Sequence, residues 1–240
     1  MKKAVLFDLD GTLLPMDQNV FVKAYFGELC KFMHPYGYDG KKLIDAVWHG
    51  TGGMVRNTGE KSNEKVFWEH FCSMFGPDAI RDEEHFRRFY ETKFNLAKEV
   101  CGFNPASDRL VKRFRQAGLQ LVLASNPIFP MVAQKNRMQW AGLDPDDFSY
   151  ITSYENSSFC KPNPAYFREL LEKLELQPQE CLMIGNDVRE DVPAASVGMD
   201  LFLLTDCLIN SENADYSAFP SGDMAALLEY AEEICGGEKA

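Results

Sequence analysis

The chain has 240 residues, 45% of them apolar, which is enough to bury the core of one large domain or of a domain with a second module. Acidic residues outnumber basic ones 36 to 25, giving a formal net charge of -11, and no Lys/Arg cluster stands out. A surface that tracks nucleic-acid phosphates needs concentrated positive charge, so nucleic-acid binding is not expected and the acid excess reads as solubility.

Cysteine usage and the N-terminal pattern narrow the setting. The seven cysteines are odd in number and contain no C-x-x-C pair, which points to a reducing compartment and not to a disulfide framework. His34, His49, His70 and His85 are scattered without metal-ligand spacing. Two lysines precede the apolar run Ala4–Phe7, but Asp8 ends that run far short of a signal-peptide core. No apolar run reaches membrane-spanning length. A cytoplasmic protein with no membrane partner is expected.

The first predicted element is a buried strand over Ala4–Phe7. A stretch of different texture follows. Residues 20–33, 41–48, 63–75 and 83–100 all carry apolar residues at helical spacing. Phe67, Phe71 and Phe75 form one stripe, and Phe86, Phe89, Tyr90 and Phe94 another. These read as the core of a helical module inserted after the first strand, leaving near Gly102–Ser107, where Asn104-Pro105 breaks the pattern.

Strands and helices then alternate. Apolar runs at 119–124, 150–152, 182–184 and 201–204 read as further strands, and their continuity fits a sheet covered on both faces. Helices are predicted over Pro130–Trp140, over Pro164–Leu174 with Asn163 as N-cap and proline at N1, and briefly from Asp191 to near Gly198. The alternation predicts an α/β fold with a parallel sheet. The tail Gly236–Ala240 is expected to fray.

The chemistry-bearing residues cluster after these strands. Asp8-Leu9-Asp10-Gly11-Thr12 follows the first. Ligands of open α/β sheets bind beyond the carboxyl ends of the strands, and two repelling carboxylates there call for a cation such as Mg²⁺, which favours oxygen ligands. The second strand ends in Ser125-Asn126-Pro127, a hydroxyl with nearby backbone N–H groups suited to phosphate oxygens. Lys161, ahead of Pro162-Asn163-Pro164, precedes a helix N-terminus that also favours an anion. The fourth strand ends in Gly185-Asn186-Asp187-Val188-Arg189-Glu190-Asp191, a second acid group. Each has a bland alternative as a turn, a cap or a solvated lysine. Together they make the set that phosphoryl transfer through a carboxylate requires.

On these residues the chain resembles a phosphatase of the haloacid dehalogenase (HAD) superfamily. Asp8–Thr12 is similar to the family's first motif, Ser125 matches the second, Lys161 the third, and the segment from Gly185 to Asp191 the acidic fourth. The resemblance covers residues 1–14 and about 102–206. It implies a Rossmann-like core with strand order 5-4-1-2-3, formed by residues 1–15 and 102–240, and a helical type-1 cap over 16–101. It also implies Mg²⁺-dependent hydrolysis of a small phosphorylated metabolite. Asp8 would be the nucleophile and Asp10 the acid and base. Mg²⁺ would be held by the Asp8 carboxylate, the Asp10 carbonyl and Asp187. Ser125, Asn126 and Lys161 would bind phosphate, and Asp191 would orient Lys161 or a metal-bound water. The family's fourth motif usually begins Gly-Asp, so either Asn186 or Asp187 takes the metal; full charge favours Asp187.

Other readings share the core. A phosphosugar mutase uses the same constellation, a dehalogenase needs no acid at the Asp10 position, and a phosphonate hydrolase uses a cap lysine. A non-catalytic binding module on the same fold is the alternative outside enzymes. The glycine-rich stretch His49–Gly53, with Arg56 and Asn57, is expected to be a cap loop that reads the substrate.

Overall fold

A computed structural model describes residues 2–236. At its centre lies a six-stranded parallel sheet in the order β3-β2-β1-β4-β5-β6. Its first strand, β1, is Ala4–Phe7. The helical stretch comes next: α1 (Gln18–Met33), α2 (Gly40–Val55), α3 (Asn63–Phe75) and α4 (Glu83–Glu91), with short 3₁₀ turns between and after them. The chain then runs through α5 (Pro105–Gln116), β2 (Gln120–Leu123), α6 (Met131–Trp140), β3 (Tyr150–Ile151) and α7 (Pro164–Leu174). It continues with β4 (Cys181–Gly185), α8 (Val188–Asp191), α9 (Pro193–Ser196) and β5 (Asp200–Leu204), and closes with β6 (Ser221–Gly222) and α10 (Met224–Gly236). Of the tail expected to fray, Gly236 is the last residue of α10, and residues 237–240 lie outside the described residues.

The central strands are buried along their whole length, as their continuous apolar runs require. Alternate residues serve opposite faces. Val5, Phe7, Leu121, Leu123, Leu182 and Ile184 join the core that contains the apolar stripes of α5, α6, α10 and the helical stretch. Ala4, Leu6, Val122, Cys181 and Met183 pack with Tyr166, Phe167 and Leu170 of α7. β1 sits between β2 and β4, so Phe7 is level with Leu123 on one side and Ile184 on the other. Three of the predicted chemical segments therefore leave the sheet at one height.

Where the structure departs from expectation, the cause is local. Asn104-Pro105 starts a helix and does not break one: the Asn104 side chain accepts from the Ala106 N–H, and proline occupies the first turn of α5. The helix predicted over 83–100 divides at Thr92, whose φ of -124° and ψ of -75° leave helical geometry, and the chain continues as a 3₁₀ helix over Lys93–Val100. α5, β6 and α10 were not among the expected elements. Gly102 N–H donates to Pro15 O at 2.7 Å, so the helical stretch departs and returns at one point.

The expected cap loop at His49–Gly53 is instead the last turns of α2. Its glycines serve packing. A Cβ on Gly50 would lie 2.5 Å from Phe67 Cδ2, so α2 and α3 approach closely only because no side chain intervenes. Arg56 is exposed at the end of α2, and Asn57 is buried, donating to Lys61 O and Asn63 Oδ1, both at 2.9 Å. No helix among the described residues is long and apolar enough to cross a membrane. Replacing Gly50→Ala should lower stability by about 1–3 kcal/mol through overpacking, in spite of alanine's better helix propensity; thermal unfolding measures it, and an unchanged or raised Tm would contradict this account of the contact.

Candidate active site

The loop after β1 is held by backbone hydrogen bonds, one to β4 and others within the loop. Asp8 N–H donates to Ile184 O (2.8 Å), and Gly11 N–H donates to Leu14 O (2.8 Å). Gly11 has a φ of +87°, and a Cβ there would stand 2.2 Å from Asn186 Nδ2, so the turn after Asp10 admits only glycine. Thr12 Oγ1 donates to Asn186 Oδ1 (2.9 Å) and approaches Asp8 Oδ2 (3.3 Å). The first and fourth segments are thereby tied together.

Lys161 lies at the centre of the cluster. Its side chain is fully buried, and Nζ donates to Asp8 Oδ1 at 3.0 Å and to Asp191 Oδ1 at 2.7 Å. Burial opposes the ammonium charge, but Asp191 and Asp8 outweigh it and hold the lysine well above its ordinary value. For Asp8, burial with Asp191 and Asp10 nearby prevails over Lys161 and pushes the carboxyl up to about 7. Asp191 Oδ2 also accepts the Asp187 N–H at 3.0 Å, so one buried carboxylate fixes both the lysine and the turn of the fourth segment.

The remaining expected residues are nearby. Asp8, Asp10, Ser125, Asn126, Asn186, Asp187 and Glu190 all line one cavity of about 160 Å³. Thr152 Oγ1 (2.7 Å) and Tyr166 Oη (3.0 Å) both donate to the Ser125 carbonyl, which anchors the end of β2. Asn126 Nδ2 donates to Glu190 (3.0 Å) and Lys161 O (3.4 Å), while its Oδ1 is buried without a partner. Asn186 is fully committed through Thr12 and through Nδ2 to Cys207 O at 2.7 Å. Asp187 caps α8 with Oδ1, which accepts from the Arg189 and Glu190 N–H groups.

Two participants escaped sequence reasoning. Arg137, on α6, has no exposed side-chain surface; its guanidinium pairs with Asp10 Oδ2 and with Gln134 and stacks 4.3 Å from the Phe129 ring centroid. The available signal was an arginine four residues after Ala133, on the apolar face of a predicted helix. Glu190 is the other; burial, with Asp191 and Asp187 close by, pushes its carboxyl up to about 8.

The donors suit a hard divalent cation. No three His, Cys, Asp or Glu side chains among the described residues form a ready-made cluster. The expected ligands instead combine two carboxylates, Asp8 and Asp187, with a backbone carbonyl, the oxygen-rich set that Mg²⁺ prefers. Asp8 and Asp187 both have raised carboxyls, burial being the largest cause in each. A cation between them would relieve that cost.

A parallel sheet whose strand ends gather a buried lysine and several carboxylates beneath a cavity is the architecture of a Rossmann-like α/β enzyme. The chain belongs to the haloacid dehalogenase-like hydrolase family, whose model matches residues 2–197. It is 26% identical over 231 residues to a phosphoglycolate phosphatase of Vibrio vulnificus, covering 95% of each chain. Among solved structures it is similar to a HAD phosphatase from Thermococcus onnurineus (TM-score 0.58, 22% identity, 99% of this chain and 100% of that one). It is also similar to a 2-haloacid dehalogenase from Pseudomonas syringae (TM-score 0.62, 16% identity, 98% and 99%). At such identities the structural likenesses speak to the fold alone.

Lys161→Met would leave Asp8 and Asp191 buried without their shared cation. Breaking such a pair costs about 3–5 kcal/mol, which in a chain of this size lowers Tm by at least ~6 °C. Calorimetry on the variant checks this, and a wild-type Tm would show that the pair is not the anchor described.

Proposed function

We propose that this enzyme hydrolyses a small phosphate monoester through an aspartyl-phosphate on Asp8, with Mg²⁺ as cofactor. The observation that carries the proposal is the convergence of Asp8, Asp10, Ser125 and Asp187 on one cavity from three separate loops, with Lys161 from a fourth buried against Asp8. The phosphatase name of the Vibrio relative supports it. The dehalogenase neighbour shares only the fold, and the acid at Asp10 favours phosphoryl chemistry.

An Asp8 oxygen attacks phosphorus, the bond from phosphorus to the ester oxygen breaks, and Asp10 in its acid form passes its proton to the departing alkoxide. Asp10, now a carboxylate, takes a proton from a water that attacks the aspartyl-phosphate. Phosphate leaves and Asp8 is restored. Arg137 occupies Asp10 Oδ2, whereas Oδ1 is buried without a partner; that oxygen is the one we assign to the leaving group and then to water. Lys161, Ser125 and Asn126 bind the phosphate, and Lys161 stabilises charge as it spreads over the equatorial oxygens. Mg²⁺ would be held by Asp8, the Asp10 carbonyl and Asp187, and when bound it offsets the charge of phosphate and carboxylates. Asp191 acts through Lys161, and Asn186 supports the loop.

Residues 16–101 form the cap in this reading, and 1–15 with 102–240 the core. Its expected role is to exclude bulk water from the reaction. A cytoplasmic setting belongs to the same proposal.

Two measurements test it. Phosphate release across a panel of small phosphomonoesters should require Mg²⁺ and stop with a chelator; metal-independent release would oppose the cofactor assignment. Asp8→Asn should lower kcat by at least ~10⁴-fold, and near-normal turnover would remove Asp8 from the chemistry.

A further inference from the structure

The cavity above the carboxylates is divided by chemistry. Its inner end is lined by Asp8, Asp10, Asp187 and Glu190. Its outer part is aromatic, with Phe26, Trp48, Phe67, Trp68, Phe129 and Tyr154 among its walls. No described lining residue is Lys, Arg or His. The two cations nearest the site are already engaged, Lys161 with Asp8 and Asp191, and Arg137 with Asp10.

The polar groups of the outer part are mostly spent. Thr51 Oγ1 donates back to Val47 O at 2.9 Å, and the Tyr25 and Tyr90 hydroxyls pair with each other at 2.9 Å. Trp68 is 5% exposed and its Nε1 is directed at the Tyr154 hydroxyl, while Gln18, exposed where it lines the cavity, is the other polar side chain of this part.

From this we infer that the alcohol half of the substrate is uncharged and carries one flat, largely apolar ring. The inference rests on the phosphatase reading and names the substrate class of that site. Aromatic walls offer ring faces and edges that stack on such a group. A carboxylate there would lose its hydration and meet no cation. A sugar would bury several hydroxyls against walls that are mostly ring faces and edges.

The class assigned here therefore differs from the acid that the Vibrio relative is named for. Two groups separate the cases. The phosphate end is common to all substrates, and only the outer wall discriminates among them.

The test compares kcat/KM of the Mg²⁺-loaded enzyme for benzyl phosphate, phosphoglycolate, glucose 6-phosphate and acetyl phosphate. The first three are alkyl esters of primary alcohols, so phenol-like leaving-group acidity does not bias the ranking. Acetyl phosphate reports the core chemistry without needing the outer wall. Benzyl phosphate should exceed phosphoglycolate and glucose 6-phosphate by about 100-fold. Turnover of acetyl phosphate with phosphoglycolate or the sugar equal to or better than benzyl phosphate overturns this inference and leaves the phosphatase reading standing. Failure of all four, acetyl phosphate included, overturns both. Trp48 is 49% exposed, so Trp48→Ala should fold, and it should lower the benzyl-to-acetyl phosphate ratio roughly tenfold. A ratio equal to wild type would remove the aromatic wall from substrate selection.

Discussion

A lysine with no exposed side-chain surface is the constraint on which the site depends. An ammonium taken out of water is costly unless carboxylates surround it. Lys161 meets that condition through Asp8, 153 positions earlier in the chain, and Asp191, 30 later. The ion pairs therefore close only when β1 and β4 are adjacent and the loop before α7 has folded over their ends. Asp191 adds the Asp187 N–H to the same network. One buried cation thus sets the relative position of three loops, and the nucleophile assigned above is one of its two partners.

The arrangement leaves the cavity with two unlike ends. At the sheet, acids outnumber the available cations, and burial raises Asp8 and Glu190 to about 7 and about 8. That imbalance suits a site designed to receive a metal ion and a phosphate, each completing the other's charge. Away from the sheet the walls are aromatic, and low polarity strengthens every electrostatic contact at the acid end. In the proposed reading chemistry and selection are separated in space: the strand-end loops would carry the first, and side chains from the helical stretch most of the second.

The two ends differed in how readable they were. Asp8, Ser125, Lys161 and the acids after Gly185 announce themselves because short apolar runs stop abruptly at chemical residues, and a parallel sheet aligns such stops. The proline-started helix at 164–174 and the strand at 4–7 were legible to their boundaries for the same local reasons. The stretch from His49 to Gly53 was not. Glycine's local preference is for turns, yet here a neighbouring helix needs the space that a side chain would fill. Tertiary packing outweighed propensity. Arg137 was overlooked because a buried arginine is uncommon, and nothing near it in the chain names Asp10 as its partner.

The amino-acid order alone determined the fold class, the order of the four chemical segments and the residue types in each, since these follow from periodicity and from what sits at the end of each run. Only the tertiary structure decided that Arg137 holds one Asp10 oxygen while the other stays unpaired, that Asn186 and Asp187 both line the cavity but the Asn186 amide pairs with Thr12 and Cys207, and that the outer wall is aromatic with no cation in it. Those features are contacts between residues far apart in the chain. Their energies depend on burial and direction, and neither quantity exists until the chain has folded.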